Sequence, residues 1–416
     1  MTFTRLLGSG FAAVALPLLA ANEPSAIPIN LTGSLDLPGA PELRWRVQTE
    51  SASPEGTETG QTLSATLNGD GVALTARLKL DGALRRGTWE LPPTSVDLAR
   101  WLNPVATRFF PHAPLGDFSI VGILQIGGTG SIAAGRIAGE GSIALVDANV
   151  SSVSRAMSVT GLSLQTVLSS LEPASSPERQ SLVFREASVA NVNARDGEIL
   201  FTILDNKRVR IDRALMKVFG GTIELGPVVL DLEALAENPV EGLIKISNVG
   251  LAEIASLLPA VIAEAHGKLS GEIGVRWSSQ NGFKLGNGSL RIERIESVEV
   301  RLTPKPGFLT DRSPERLTLL PAWTGPLARW FAPKNPAHET LRQIELGLMS
   351  LKVESLDAQI RPNGDAAGRT AHVLVSARPS QQSAVELVNF EINVSGPLDE
   401  VMKLGFGENV SISAGK

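Results

Sequence analysis

Apolar and polar residues alternate one for one along much of this chain, and a backbone can honour that pattern only as strands with one apolar face. Val72, Leu74, Ala76, Leu78 and Leu80 interleave with Thr75, Arg77, Lys79 and Asp81. The alternation recurs in Phe118, Ile120, Leu124 and Ile126, and in Leu269, Ile273, Val275 and Trp277 against Lys268, Ser270, Glu272 and Arg276. Val388, Phe390, Ile392 and Val394 against Asn389, Glu391, Asn393 and Ser395 repeat it near the end. Successive side chains of a strand point to opposite faces, so each run puts its apolar set on one side. Between the runs, Asn68-Gly69-Asp70-Gly71, Asn281-Gly282 and Asn363-Gly364-Asp365 supply the positive φ that tight hairpins need. Antiparallel neighbours in a meander follow from that punctuation.

Two stretches are written to one template. "SVDLARWLNPVATRFFPHAPLGDFSIVGILQI" followed by "AGRIAGEGSIALVDANV" matches "NVGLAEIASLLPAVIAEAHGKLSGEIGVRW" followed by "NGFKLGNGSLRIERIESV". Each predicts a short amphipathic helix, a strand that starts at Gly, a turn and another strand, with Leu98 over Leu251, Gly116 over Gly267 and Gly141-Ser142 over Gly288-Ser289. Leu251, Ile254, Ala255 and Leu258 fall on one helical face, and Leu98, Trp101, Leu102 and Val105 do so approximately. A unit used twice implies stacking rather than one closed active site.

The expected fold class is mainly β: an elongated antiparallel β-meander curled into an apolar groove, with a few short amphipathic helices. The expected organisation is a signal peptide or short membrane anchor over 1–21, an N-terminal β segment over 22–93, and a first groove repeat over 94–208. A second repeat over 209–302, a Pro-rich insertion over 303–340 and a C-terminal β segment over 341–416 complete it. The insertion holds Pro304, Pro306, Pro314, Pro321, Pro326, Pro333 and Pro336 together with Trp323, Trp330 and Phe331. Central strands cannot carry so many prolines, and the aromatics point to an ordered insertion or plug.

At the N-terminus, Arg5 precedes an uncharged run from Leu6 to Ala21, followed by Asn22, Glu23 and Pro24. That is the order of a bacterial export signal, and the run is shorter than the ~20 residues of a spanning helix. The expected location is therefore the periplasm or cell envelope, with an inner-membrane anchor as the other reading of the same segment.

Chemistry-bearing constellations are missing. The chain has no cysteine, which excludes thiol catalysis, thiolate metal sites and disulfides. A net charge of −5 with interspersed signs leaves no basic stripe for nucleic acid. The four histidines, His112, His266, His338 and His372, stand apart from one another and from any ligand spacing such as H-E-x-x-H, so no metal is expected. Gly127-Gly128-Thr129-Gly130 lacks the Gly-Lys-Ser/Thr of a phosphate-binding loop and reads as a hairpin turn; Glu293 and Glu296 read as a solvated face. No enzyme activity and no cofactor are expected.

"ALMKVFGGTIELGPVVLDL" (Ala214 to Leu232), with its Phe219-Gly220-Gly221-Thr222-Ile223 step, and "HGKLSGEIGVRW" beyond it resemble the C-terminal region of the YdbH family. These are bacterial envelope proteins related to the AsmA-like group, some carrying an older label of dicarboxylate transport. The resemblance covers Val183 to Ile295, and Thr94 to Val150 through the repeat. It implies a long sheet bent into a trough whose apolar interior carries phospholipid acyl chains between two membranes. For the open edge of such a sheet, which invites strand addition, it implies a small outer-membrane lipoprotein as cap or bridge, with self-association as the equal alternative.

The residue reading converges on the same object. A one-faced sheet must bury that face, and acyl chains are a suitable cover, since each CH₂ costs about 0.8 kcal/mol to expose to water. The candidate groove-lining residues are Phe118, Ile120, Leu124, Ile126, Leu269, Ile273, Val275, Trp277, Leu290 and Ile292. The expected partners are phospholipid acyl chains and a membrane surface. The competing reading is an exported structural or interaction protein, a sandwich, solenoid or adhesin-like fold, whose apolar faces pack on each other. A carbohydrate-active β-helix would need aromatic platforms on polar faces, against an aromatic content of 5% without tyrosine.

Overall fold

A computed structural model describes residues 28–35, 41–50, 61–81, 86–101, 118–134, 136–154, 156–189, 192–232, 234, 239–256, 262–278, 282–292, 297–311, 313–317, 332–366, 368–395 and 410–415. Strand takes 70% of these residues and helix 7%, so the chain is mainly β, as its alternation predicts. The expected signal or anchor over 1–21, His112, Asn281 and the pair Glu293 and Glu296 lie outside the described residues.

The chain forms two compact units, Met1–Met216 with Pro227–Leu235, and Lys217–Gly226 with Ala236–Lys416. In the first, β1 (Asn30–Leu35), β2 (Leu43–Glu50), β3 (Gln61–Gly69), β4 (Val72–Leu80), β5 (Arg86–Asp97), β6 (Ser119–Ala133), β7 (Arg136–Ser152) and β8 (Met157–Leu168) form an antiparallel meander. Each pairs with the next. A small separate hairpin, β9 (Ser170–Leu171) and β10 (Ala174–Ser175), then leaves the ladder. The meander resumes with β11 (Gln180–Val189) on β8 and β12 (Val192–Ile203) on β11. β13 (Arg208–Val218) pairs with β15 (Val228–Asp231), and β14 (Gly221–Leu225), between them in sequence, belongs to the second unit.

The second unit continues with β16 (Val240–Gly250), α1 (Leu251–Ser256), β17 (Ile262–His266), β18 (Lys268–Ser278), β19 (Gly282–Ile292), β20 (Val298–Leu302), α2 (Pro336–Glu345), β21 (Leu351–Ile360), β22 (Arg369–Pro379), β23 (Val388–Ser395) and β24 (Val410–Gly415). Its ladder runs β14, β16, β18, β19, β21, β22, β23, β24, antiparallel throughout. β17 and β20 pair with each other, and β20 also joins the start of β21.

Registers show how alternation survives strands of this length. In β7 the pairing slips between Leu145 and Ala148, where Asp147 takes a φ of 48°. In β16 it slips between Ile246 and Val249, where Asn248 takes 56°. Each is a bulge that inserts one residue, bends the strand and returns the next apolar side chain to the inner face. The outer face staples the first bulge: Asp147 N–H donates to Ser163 Oγ at 3.1 Å, and Arg185 Nη2 reaches Asp147 Oδ1 at 3.0 Å.

The Phe219-Gly220-Gly221 step is a turn followed at once by a close approach. Phe219 and Gly220 both have positive φ, 50° and 71°, which suits a two-residue hairpin turn. A Cβ on Gly221 would sit 2.5 Å from the Ser247 and Asn248 backbone of β16, so only glycine fits there.

The largest packed core lies in the second unit. Leu251 and Ala255 of α1, Leu309, Ile344 of α2, Met349, Leu351 and Phe390 close on one another, with Ile344 at 0% and Leu351 at 1% exposure. α2 starts on Asn335, whose Oδ1 accepts from Ala337 N–H at 3.1 Å, with Pro336 in the first turn. Its last residue, Glu345, is 3% exposed and accepts from Leu309 N–H at 2.8 Å, Thr310 N–H at 3.1 Å and Thr310 Oγ1 at 2.8 Å. Burial pushes this carboxyl upward, but those donors and the Gly307 N–H outweigh it, and its pKa is lowered. The described part of the Pro-rich stretch is thus fastened to the core by a buried carboxylate.

Candidate functional site

Opposed residues of an antiparallel pair share a face, so the registers assemble an inner surface rung by rung. In the first unit Val96 and Leu124, then Leu145, Leu164, Leu182 and Ile199, form one apolar rung across β5, β6, β7, β8, β11 and β12. Thr94, Ile126, Ile143 and Thr166 form the next. In the second unit Leu225, Ile244, Ile273 and Gly288 align, as do Ile223, Ile246, Gly271, Leu290 and Ala358. Ala358, Val373 and Ile392 carry the surface on through β22 and β23. Charged residues take the opposite face, where Arg276 pairs with Glu241, Arg195 with Glu186 and His372 with Glu391. Hydrogen bonds from Asn393 and His372 lower the Glu391 pKa.

Across β5 to β8 the inner face is hollowed. Gly128 lies opposite Gly141 and Gly130 opposite Gly139, so four neighbouring positions project no side chain. Trp89 lies against them: a Cβ on Gly128 would meet its ring at 2.9 Å, and its Nε1 donates to Ala138 O at 3.2 Å. The β9–β10 hairpin brings Leu171 over Gly141 from the other side. Between Trp89 and Leu171 lies a shallow, solvent-open hollow lined by Leu91, Ile126, Ile132, Ile137, Ile143 and Leu168. Its wall is almost entirely hydrocarbon. Beside it Thr166, 2% exposed and opposite Ile143, keeps an Oγ1 without a hydrogen-bond partner.

The nominated residues fall into two groups. Ile120, Leu124 and Ile126 sit half-buried on the inner face of β6, with Phe118 half-buried just before it, while Val121 and Ile123 point outward at 54% and 52% exposure. In the second unit Ile273, Val275 and Trp277 share the inner face with Leu290, and exposure rises along β18 from 8% at Ile273 to 39% at Trp277. Leu269 and Ile292, at 5% and 8%, belong instead to the packed core under α1 and α2. The sequence reading missed Trp89, Ile132, Ile137, Ile143, Leu168 and Leu171. It also placed Gly127–Gly130 in a hairpin turn, whereas these glycines lie inside β6 and the turn follows Ala133. Counting Gly139 and Gly141 as inward positions between Ile137 and Ile143 would have exposed the missing alternation.

Among the described residues no group of His, Asp and Glu could hold a metal ion. His338 Nδ1 is 2.9 Å from Ser313 O and His372 Nε2 is 3.0 Å from Glu391, both structural contacts. No described helix is long and apolar enough to cross a membrane. No curated protein matches the chain. The family model described as YdbH-like, intermembrane phospholipid transport protein YdbH, matches residues 2–310, and this chain belongs to that family of phospholipid transport proteins.

Proposed function

We propose that the inner faces of this protein bind phospholipid acyl chains and conduct them between the membranes of a bacterial envelope. The observation that carries this reading is the half-exposed hydrocarbon of β5 to β8. Ile126, Ile137 and Ile143 line an open hollow rather than a core, in contrast to Leu351 at 1% exposure. A dry apolar surface of this kind lets a methylene leave a bilayer without the cost of about 0.8 kcal/mol that water would impose. No side chain need react. Headgroups would trail in solvent, so headgroup selectivity is expected to be weak.

The lining is Phe118, Ile120, Leu124 and Ile126 with the hollow in the first unit, and Ile273, Val275, Trp277 and Leu290 in the second. Leu269 and Ile292 act there as structural floor. β1 and β24 each pair on one side only among the described residues. Such an edge accepts an added strand, and a small outer-membrane lipoprotein is the partner we assign to it. The N-terminal segment is taken as the export signal or anchor that places the protein in the periplasm. The test is transfer of a fluorescent phospholipid between donor and acceptor vesicles by purified protein, with Leu124→Asp as the blocked variant. Transfer by the parent and not by the variant is expected; equal transfer by both would remove Leu124 from the track.

A further inference from the structure

Resting on the acyl-chain reading above, we infer that two adjacent hairpin ends of the first unit, Val153 and Met157 where β7 gives way to β8 and Val189 and Val192 at the facing ends of β11 and β12, are where this protein touches a phospholipid bilayer. β8 pairs with β11 so that Met157 lies opposite Val189, and Val189 lies opposite Val192, which makes the two tips neighbours. Tips of hairpins ordinarily carry Gly, Asn, Asp or Ser. Here Val153 is 97% exposed, Val189 52% and Val192 39%.

Val189 and Val192 extend the inner face to its rim, and Val153 stands in the turn next to Ser152 of the same rung. Val150, Val159, Ala187 and Ala194 form one inward rung, and Ser152, Met157, Val189 and Val192 form the last one before solvent. At the same end of the ladder the neighbouring strands are capped: the helical turn at 98–101 lays Trp101, 4% exposed, over Leu43 and Val72. Its Nε1 donates to Asp70 O at 2.8 Å. A hydrocarbon surface that is capped on one side and runs out to bare valines on the other is a mouth.

Bilayer fits this mouth better than protein does. A stable protein partner needs roughly 800 Å² of matched surface on each side, more than two hairpin tips present. A bilayer accepts a small apolar wedge of any shape. The described residues of these ends, Val153, Ser154, Ala156, Met157, Val189 and Val192, carry no charge to desolvate.

The experiment is flotation of full-length protein with vesicles of phosphatidylethanolamine and phosphatidylglycerol, comparing the parent with Val153→Asp, Val189→Asp and the milder Val153→Ser. Binding of monomeric lysophosphatidylethanolamine is read in parallel by native mass spectrometry. The expected result is vesicle binding weakened roughly tenfold by each Asp variant, and less by Val153→Ser, with circular dichroism unchanged in all three and lysolipid binding unchanged in the two Val153 variants. Co-flotation of the Asp variants equal to the parent overturns the inference, as does a parent dimer that the same substitutions dissociate. Loss of lysolipid binding by the parent itself, with flotation still dependent on the tips, would overturn the acyl-chain reading and leave the tip contact standing.

Discussion

Filling the hollow from within should weaken lipid binding in proportion to the carbon added. Gly141 is the position for this test, because it lies on the inner face of β7 and its φ is not in the left-handed region. A Cβ there would meet Leu171 Cδ2 at 3.2 Å and Leu168 Cδ1 at 3.7 Å, both the mobile ends of side chains. Alanine, valine and leucine at 141 place one, three and four carbons where we assign acyl methylenes. At about 0.8 kcal/mol per displaced CH₂, Gly141→Ala costs under 1 kcal/mol of binding and Gly141→Leu about 3 kcal/mol. With 1.4 kcal/mol per decade, the series runs from about fourfold to about a hundredfold weaker. The assay is native mass spectrometry titration with a phospholipid, beside thermal melting to separate occlusion from misfolding. A graded loss of affinity in folded variants is the expected outcome. Folded Gly141→Leu that binds within about twofold of the parent would refute the assignment of the hollow to the track.

Other outcomes follow from the same contacts. Leu269→Ala, in the packed core, should lower unfolding free energy by about 2–5 kcal/mol in urea, whereas half-buried Leu124→Ala should cost less and show itself in lipid binding. Thr166→Val removes a buried hydroxyl that has no partner and should raise stability by about 1 kcal/mol in the same titration. Glu345→Gln should destabilise by about 2 kcal/mol at neutral pH, since it exchanges charge-assisted hydrogen bonds for neutral ones. The folded pKa of Glu345 is lowered, so its contribution is present above the unfolded carboxyl pKa and is lost as pH falls through the folded one. The difference between parent and Glu345→Gln should therefore shrink between neutral pH and about pH 3, and a constant difference would contradict the assignment.

Much of this architecture is legible in local text because a strand's face is decided two residues at a time. Val72 to Leu80 and Val388 to Val394 place their apolar sets inward as alternation predicts, and the helices expected near Leu98 and Leu251 begin at those residues. What alternation alone cannot supply is phase across a bulge. Asp147 and Asn248 each insert a residue, and only the partner strand reveals that Ala148 and Val249 have returned to the inner face. The hollow was hidden for a related reason: Gly139 and Gly141 occupy inward positions without adding apolar side chains. α2 was masked by the density of prolines, although Asn335-Pro336 is itself a helix start signal. That Leu269 and Ile292 end in a packed core depends on Leu309, Ile344 and Leu351, which are distant in sequence and arrive from the Pro-rich stretch and beyond it.

The most direct test of the account is whether the protein carries lipid. Native mass spectrometry with lipid extraction on protein purified from a bacterial envelope should find co-purified phospholipid, reduced in Leu124→Asp and in Gly141→Leu. Protein that is lipid-free, and that also takes up no labelled phospholipid from vesicles, would contradict the account and leave its apolar faces as structure alone.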